Sequence, residues 1–216
     1  MLPLVVVVDF DGTITLKDIG DEVCERFADP TLGSWRDIDA AWVRGELSLP
    51  NAQERMWALT RAERAEAVAF AREVGQPRAG LKALLDAVEQ RGGEVWLASG
   101  GFDFYIDALL GELRPRFARA YMNTARFGDG RIAVSFPHDE LACTRCAICK
   151  GKVCAAAATV AERVVFVGDG ASDRCVLALA EPTIWAVAGG LLEQAAVDQG
   201  RPVQSFTDFA VLAAGL

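Results

Sequence analysis

Two carboxylates one residue apart, Asp9 and Asp11, stand in the run Asp9-Phe10-Asp11-Gly12-Thr13, directly after an apolar stretch. In extended chain that spacing sends both the same way, while Gly12 permits a sharp turn and lets backbone amides approach an anion. One carboxylate of such a pair can attack an electrophile while the other handles the proton. Aspartate before glycine is also common in plain turns and caps, so the pair gains meaning from what joins it. Ser99-Gly100-Gly101 follows a second apolar stretch and offers a hydroxyl and free amides to phosphate oxygens. Gly168-Asp169-Gly170-Ala171-Ser172-Asp173 follows a third and adds two more carboxylates, Asp169 and Asp173. Four acids on one edge repel unless a hard cation sits among them, and ligation by oxygen alone suits magnesium.

Competing chemistries fail on what is absent. The single histidine, His138, excludes phosphatases that need a histidine pair and argues against a Ser-His-Asp triad. No cysteine has an arginine six positions on, which removes the thiolate phosphatase loop, and neither G-x-x-x-x-G-K-[ST] nor G-x-G-x-x-G occurs. A formal net charge of -8 without a basic track argues against nucleic acid as partner. No apolar run approaches the ~20 residues that cross a bilayer, so no membrane is expected. Met1 to Val8 lacks a basic leader and a cleavage site and reads as a strand, which makes the expected location cytoplasmic. Four of the six cysteines fall between Cys143 and Cys154, too clustered for a disulfide framework. Cys143, Cys146 and Cys149 offer three thiolates to a soft metal such as zinc, with His138 or Cys154 to complete four; the other reading is small residues packed beside the active site.

The elements that must position these groups follow from periodicity. Leu4–Val8, Glu94–Ala98, Arg163–Val167 and Thr183–Val187 are short, unbroken apolar runs, the pattern of parallel strands buried on both faces. Helical patterns lie between them: Leu81–Gln90 with apolar residues at 81, 84, 85 and 88, a helix opening near Asp103, Asp173–Ala180, and Gly190–Val197. Strand alternating with helix predicts an α/β, doubly wound parallel sheet, and each acidic motif falls at a carboxyl end of a strand, where such sheets bind ligands. Around Gly128-Asp129-Gly130 the spacing predicts a β-hairpin. Residues 16–76 carry helical stretches without a buried strand and read as a small inserted helical cap on a core of 1–15 and 77–216. Trp35, Trp42, Trp57, Phe27 and Phe70 either line a pocket there or, as is commoner, give the small module its own core.

Taken together, D-F-D-G-T, a strand ending in Ser99, a lysine at 150 and G-D-G-x-S-D resemble the haloacid dehalogenase superfamily over almost the whole chain. The position of the insertion is similar to the helical-cap branch containing phosphoserine phosphatase. D-F-D-G-T-I-T, S-G-G-x-D-F, Phe136-Pro137-His138 and C-x-x-C-x-x-C-K look like the methionine-salvage 2-hydroxy-3-keto-5-methylthiopentenyl-1-phosphate phosphatases and their phosphocholine-phosphatase-like relatives. The resemblance implies a magnesium-dependent phosphatase of a small phosphorylated metabolite, working through an aspartyl phosphate as monomer or homodimer. It implies Asp9 as nucleophile, Asp11 as general acid and base, and Ser99, Gly100 and Lys150 as phosphate holders, Lys150 being preferred over Lys152. It also implies Asp9, Asp11, Asp169 and Asp173 around Mg2+. Asp18 falls where phosphoserine phosphatase has a glutamate on the substrate amine, and the cap has no clear arginine for a serine carboxylate. Phosphoserine phosphatase activity and a phosphotransferase or phosphomutase remain alternatives.

Overall fold

The computed structural model describes residues 1–179 and 181–216. Strand β1 (Val5–Val8) is four consecutive valines, all fully buried, whose branched Cβ atoms suit a pleated surface covered on both faces. It is the middle strand of a seven-stranded sheet. The others are β2 (Glu94–Phe102), β3 (Phe117–Gly128), β4 (Arg131–Ser135), β5 (Val164–Gly168), β6 (Thr183–Val187) and β7 (Gln204–Phe206), in spatial order β4-β3-β2-β1-β5-β6-β7. All neighbours pair parallel except β3 and β4, the predicted hairpin, which closes through Asp129-Gly130. The chain winds from β1 towards β2 and β3 on one side and later towards β5, β6 and β7 on the other. The carboxyl end of β1 is therefore the topological switch point, where a crevice opens between diverging loops.

Between β1 and β2 come four helices, α1 (Ile19–Phe27), α2 (Trp35–Val43), α3 (Leu49–Leu59) and α4 (Arg64–Val74), and no strand. Their starts are written locally. Asp18, Ser34 and Ser48 each cap a helix by accepting a backbone N–H three residues on. The chain leaves and re-enters the sheet layer at one place: Thr15 bridges Pro77 antiparallel, and the Leu16 amide donates to the Gln76 carbonyl at 3.0 Å. Helix α5 (Leu81–Gln90) buries the predicted stripe of Leu81, Leu84, Leu85 and Val88. Helices α6 (Asp103–Leu110), α7 (Lys150–Ala158), α8 (Cys175–Leu179), α9 (Leu191–Asp198) and α10 (Phe209–Gly215) complete the layers.

Several details depart from the sequence reading. The strand expected to stop at Ala98 runs on to Phe102, carrying Ser99-Gly100-Gly101 inside a strand with an irregular register rather than in a turn. The helix expected from Asp173 begins with a 3₁₀ turn at Ala171–Arg174, and its expected end, Ala180, lies outside the described residues. Strand β7 and helix α10 were not anticipated, being three and seven residues long with little periodicity to read. Of the aromatic residues in 16–76, Trp57 is a core residue, packed on Phe102 and Phe104 at centroid distances of 4.9 and 5.8 Å. Phe27 and Phe70 stack edge to face at 5.4 Å, and Trp35 packs against the same core.

Candidate active site

A cavity of about 710 Å³ opens at the switch point, floored by the strand ends and roofed by α1–α3. Asp9, immediately after β1, is 4% exposed, and its Oδ1 lies 3.3 Å from Nζ of Lys150. Lys150 is the first residue of α7 and is 1% exposed; its ammonium also lies 3.2 Å from Asp173 Oδ1 and donates to Ser172 Oγ at 2.8 Å. The alternative lysine, Lys152, instead donates to the carbonyls of Glu140 and Ala142, away from the carboxylates. Burial by itself would lower the Lys150 pKa, but Asp9 and Asp173 outweigh it and hold the ammonium charged.

Carboxylate oxygens of Asp9, Asp169 and Asp173 all lie within 4.8 Å of one another. Desolvation, and then the charge of Asp173, pushes Asp9 well above the ordinary carboxylate range and Asp169 to about 7. One lysine, set against both Asp9 and Asp173, does not neutralise three acids. A dry, oxygen-only donor set with surplus negative charge fits a hard divalent cation such as magnesium. Backbone geometry gathers the set. Asp173 Oδ2 accepts the amides of Asp169 and Gly170, both at 3.0 Å, and Thr13 Oγ1 donates to Asp169 Oδ1 at 2.9 Å. Gly12 has φ +72, and a Cβ there would stand 2.3 Å from Asp169 Oδ2, so any larger residue would push the first and third motifs apart.

The structure does not bring the Asp11 carboxylate into this cluster, contrary to the expectation that all four acids share the cation. Its Oδ1 accepts the Ile19 amide at 2.9 Å and its Oδ2 accepts the Tyr105 hydroxyl at 2.7 Å. Desolvation first, and then the charge of Asp18, raises the Asp11 pKa well above its usual value, against the lowering effect of those two donors. Asp11 is thus held apart from the cation cluster in a setting that favours a protonated acid. Ser99, 1% exposed, accepts the Gly101 amide on Oγ at 2.9 Å and keeps its own proton to donate. Gly100 and Gly101 line the same floor. The Gly100 carbonyl is held by Asn123 Nδ2 at 2.7 Å and by Gln53 Nε2, from α3, at 2.8 Å.

On the roof, Asp18 lines the cavity while capping α1, joined there by Asp21, Asp39, Trp42, Val43, Leu49 and Met56. Desolvation followed by the charges of Asp18 and Asp39 lifts Asp21 to about 8, and desolvation with Asp39 likewise raises Asp18. Lys17, the only cavity-lining cation from 16–76, is paired with Glu22 at 2.9 Å. Arg145, contributed by the cysteine-bearing loop, also reaches the cavity.

Sequence reasoning missed Tyr105, Asn123, Gln53 and Arg145. Thr13 and Ser172 were inside the quoted motifs and legible there, whereas Tyr105 sits in an ordinary apolar helix and Gln53 is one polar residue among several on α3.

Comparison with known proteins agrees with this fold. The haloacid dehalogenase-like hydrolase family model matches residues 6–178. A 2-hydroxy-3-keto-5-methylthiopentenyl-1-phosphate phosphatase of Geobacillus kaustophilus (strain HTA426) is 28% identical over 210 residues, 95% of this chain and 92% of that protein. A protein of the same name from Bacillus thuringiensis (strain Al Hakam) is 27% identical over 168 residues, 76% of this chain and 75% of its own. Among solved structures, a phospho-aspartyl intermediate analogue of phosphoserine phosphatase superposes with a TM-score of 0.73 at 17% identity, covering 100% of both chains. Phosphoserine phosphatase from T. onnurineus superposes at 0.67 and 19% identity, covering 99% of this chain and 94% of that one, which establishes a shared fold.

Proposed function

We propose, for a chain that belongs to the haloacid dehalogenase-like hydrolase family, that it is a phosphatase hydrolysing a small phosphate monoester through phosphorylated Asp9. The observation that carries the reading is the buried arrangement of Asp9 against Lys150, beside Asp169 and Asp173, with Asp11 set apart on its own hydrogen bonds. Asp9 attacks phosphorus in line, the bond to the ester oxygen breaks, and Asp11 gives its proton to the departing alkoxide. Asp11 then takes a proton from water, whose oxygen attacks the aspartyl phosphate, freeing Asp9 and inorganic phosphate. Lys150, the Ser99 hydroxyl and the Gly100 and Gly101 backbone hold the phosphoryl oxygens. Magnesium, when bound by Asp9, Asp169 and Asp173, supplies positive charge where negative charge gathers in the transition state.

In this reading residues 16–76 are a cap over a core of 1–15 and 77–216, and substrate choice resides in the cap. The cap side of the cavity combines apolar Trp42, Val43, Leu49 and Met56 with Asp18, Asp21 and Asp39. That lining suits an ester whose leaving group is partly apolar and either neutral, as in a keto-sugar phosphate, or cationic, as in a phosphorylated amino alcohol, better than one that carries a carboxylate. It favours a keto-sugar phosphate of the kind named for the curated relatives over phosphoserine. The test is release of inorganic phosphate with magnesium across 2-hydroxy-3-keto-5-methylthiopentenyl-1-phosphate, other sugar phosphates, phosphoserine, phosphopeptides and oligonucleotides. Highest kcat/KM on a small ester is expected. Preference for phosphopeptide or oligonucleotide would overturn the enclosed-substrate reading, and transfer of phosphate to an acceptor without its release would overturn hydrolysis.

A further inference from the structure

The loop between β4 and α7 brings three cysteines, Cys143, Cys146 and Cys149, against a fourth that is remote in sequence, Cys175 at the start of α8. The Sγ atoms of Cys143 and Cys146 lie 4.0 and 3.8 Å from Sγ of Cys175. Those of Cys143, Cys149 and Cys175 all lie within 4.8 Å of one another. None is in a disulfide, and the separations are about twice a sulfur–sulfur bond of ~2.05 Å. The two separations from Cys175, 4.0 and 3.8 Å, are close instead to the edge of a tetrahedron with metal–sulfur bonds of about 2.3 Å, whose sulfurs stand about 3.8 Å apart.

We propose that Cys143, Cys146, Cys149 and Cys175 form a structural site for one zinc ion. Neither residue considered from sequence supplies the fourth ligand. His138 packs edge to face on Tyr121 at 5.4 Å, and Cys154 points into the apolar cluster with Val153 and Ala157. Loop backbone preorganises the set, since the Cys143 amide donates to the Cys146 carbonyl and the Cys149 amide to that of Leu141, both at 2.9 Å. Thiolates suit zinc and leave magnesium to the carboxylates, so the molecule carries one soft and one hard cation site. Four thiolates on zinc leave an excess of two negative charges. Lys152, tied to the loop carbonyls of Glu140 and Ala142, together with Arg145 and Arg174 in the flanking sequence, provides compensating positive charge.

The placement gives the site its purpose. Cys149 immediately precedes Lys150, and Cys175 lies two residues beyond Asp173, so one ion pins the loop of the phosphate-holding lysine to the loop of its carboxylate partner. Arg145, which reaches the cavity, lies within the clamped loop. Metal bound to the folded but not the unfolded chain stabilises the fold outright.

Elemental analysis of protein expressed without added zinc and purified without chelator tests the proposal. It predicts about one zinc per chain, against less than about a tenth of that in Cys175→Ser. Cys154→Ala, a buried cysteine outside the set, should retain the metal. Replacement by cobalt should give sulfur-to-metal charge-transfer absorption and the intense visible bands of tetrahedral thiolate cobalt, which an oxygen-ligated ion at the carboxylates does not produce. Wild-type protein without zinc, pairing of these cysteines in disulfides, full retention of zinc by Cys175→Ser, or a cobalt spectrum lacking charge-transfer bands would each overturn it.

Discussion

The two aspartates of the first motif have identical chemistry and opposite surroundings, and the proposed roles follow those surroundings. Asp9 faces Lys150 and the cation cluster, so Asp9→Asn should fold normally and lose about 10³-fold or more in kcat, since nothing replaces the covalent step. Near wild-type turnover would refute a nucleophilic Asp9. Asp11 faces the Ile19 amide and the Tyr105 hydroxyl. Its substitution by Asn should penalise alkyl phosphates, whose leaving groups need a proton, far more than aryl phosphates. Tyr105→Phe removes one of the two donors that orient Asp11 and should show the same bias in weaker form, about tenfold on alkyl esters. Equal losses on both ester types would mean that neither residue serves the proton transfer. The placing of Asp9, Asp11, Asp169 and Asp173 at the sheet edge was legible because the first two follow β1 closely and the last two lie in the turn after β5. Tyr105 was not, because a tyrosine on an apolar helix reads as core, and only its 2.7 Å bond to Asp11 tells otherwise. For the cysteines, the spacing exposed three sulfurs while the fourth depended on how α8 folds back.

At the scale of elements, the site is a meeting of strand ends, and its tolerances are set by backbone. Gly101 lies in β2 where an added Cβ would meet the Tyr105 hydroxyl at 2.0 Å and Asp11 Oδ2 at 2.5 Å. Gly101→Ala should therefore leave the sheet folded but displace the acid, costing about 10²-fold in kcat, the scale expected for a misplacement of about 1 Å. Retained activity, or a variant that does not fold, would show that β2 yields there differently. At the start of helix α1 the carboxyls of Asp18 and Asp21 act on each other and on that of Asp39 from α2. Asp21 has its pKa raised to about 8 in the folded chain from an ordinary 3.8. The folded state thus keeps a proton that the unfolded chain has released, so stability is fully present below about pH 4 and is lost as pH rises towards about 8. Asp21→Asn should raise Tm at pH 8 and leave it nearly unchanged at pH 4. An equal shift at both values would rule out linkage through this carboxyl. Strands and the α5 stripe were readable from hydrophobic periodicity, whereas β7 and α10 are too short to show a period and are fixed by packing at the sheet edge.

For the whole molecule, the organising fact is that diverging connections around β1 open a crevice which helices α1–α3 then roof. The roof is tied to β2 through Gln53 bound to the Gly100 carbonyl, and to the loop before α7 through the Leu49 amide donating to the Arg145 carbonyl at 2.8 Å. Gln53→Ala removes the first of these ties while leaving the phosphate floor in place. It should raise KM for the preferred ester several-fold and change KM for a small aryl phosphate little; equal changes would argue that the tie does not govern substrate enclosure. No helix among the described residues is long and apolar enough to cross a membrane. The bridge between Thr15 and Pro77 has a further implication for how such a chain can be rebuilt. Because entry and exit stand side by side, the whole insertion could be cut out and the ends joined by a tight turn without altering the order of a single strand. Trp57, however, is wedged onto Phe102 and Phe104, so the excised protein would present bare aromatic faces to water. The roof is a removable module by topology and an integral part of the core by solvation, and transplanting a different one requires redesigning those rings along with the turn.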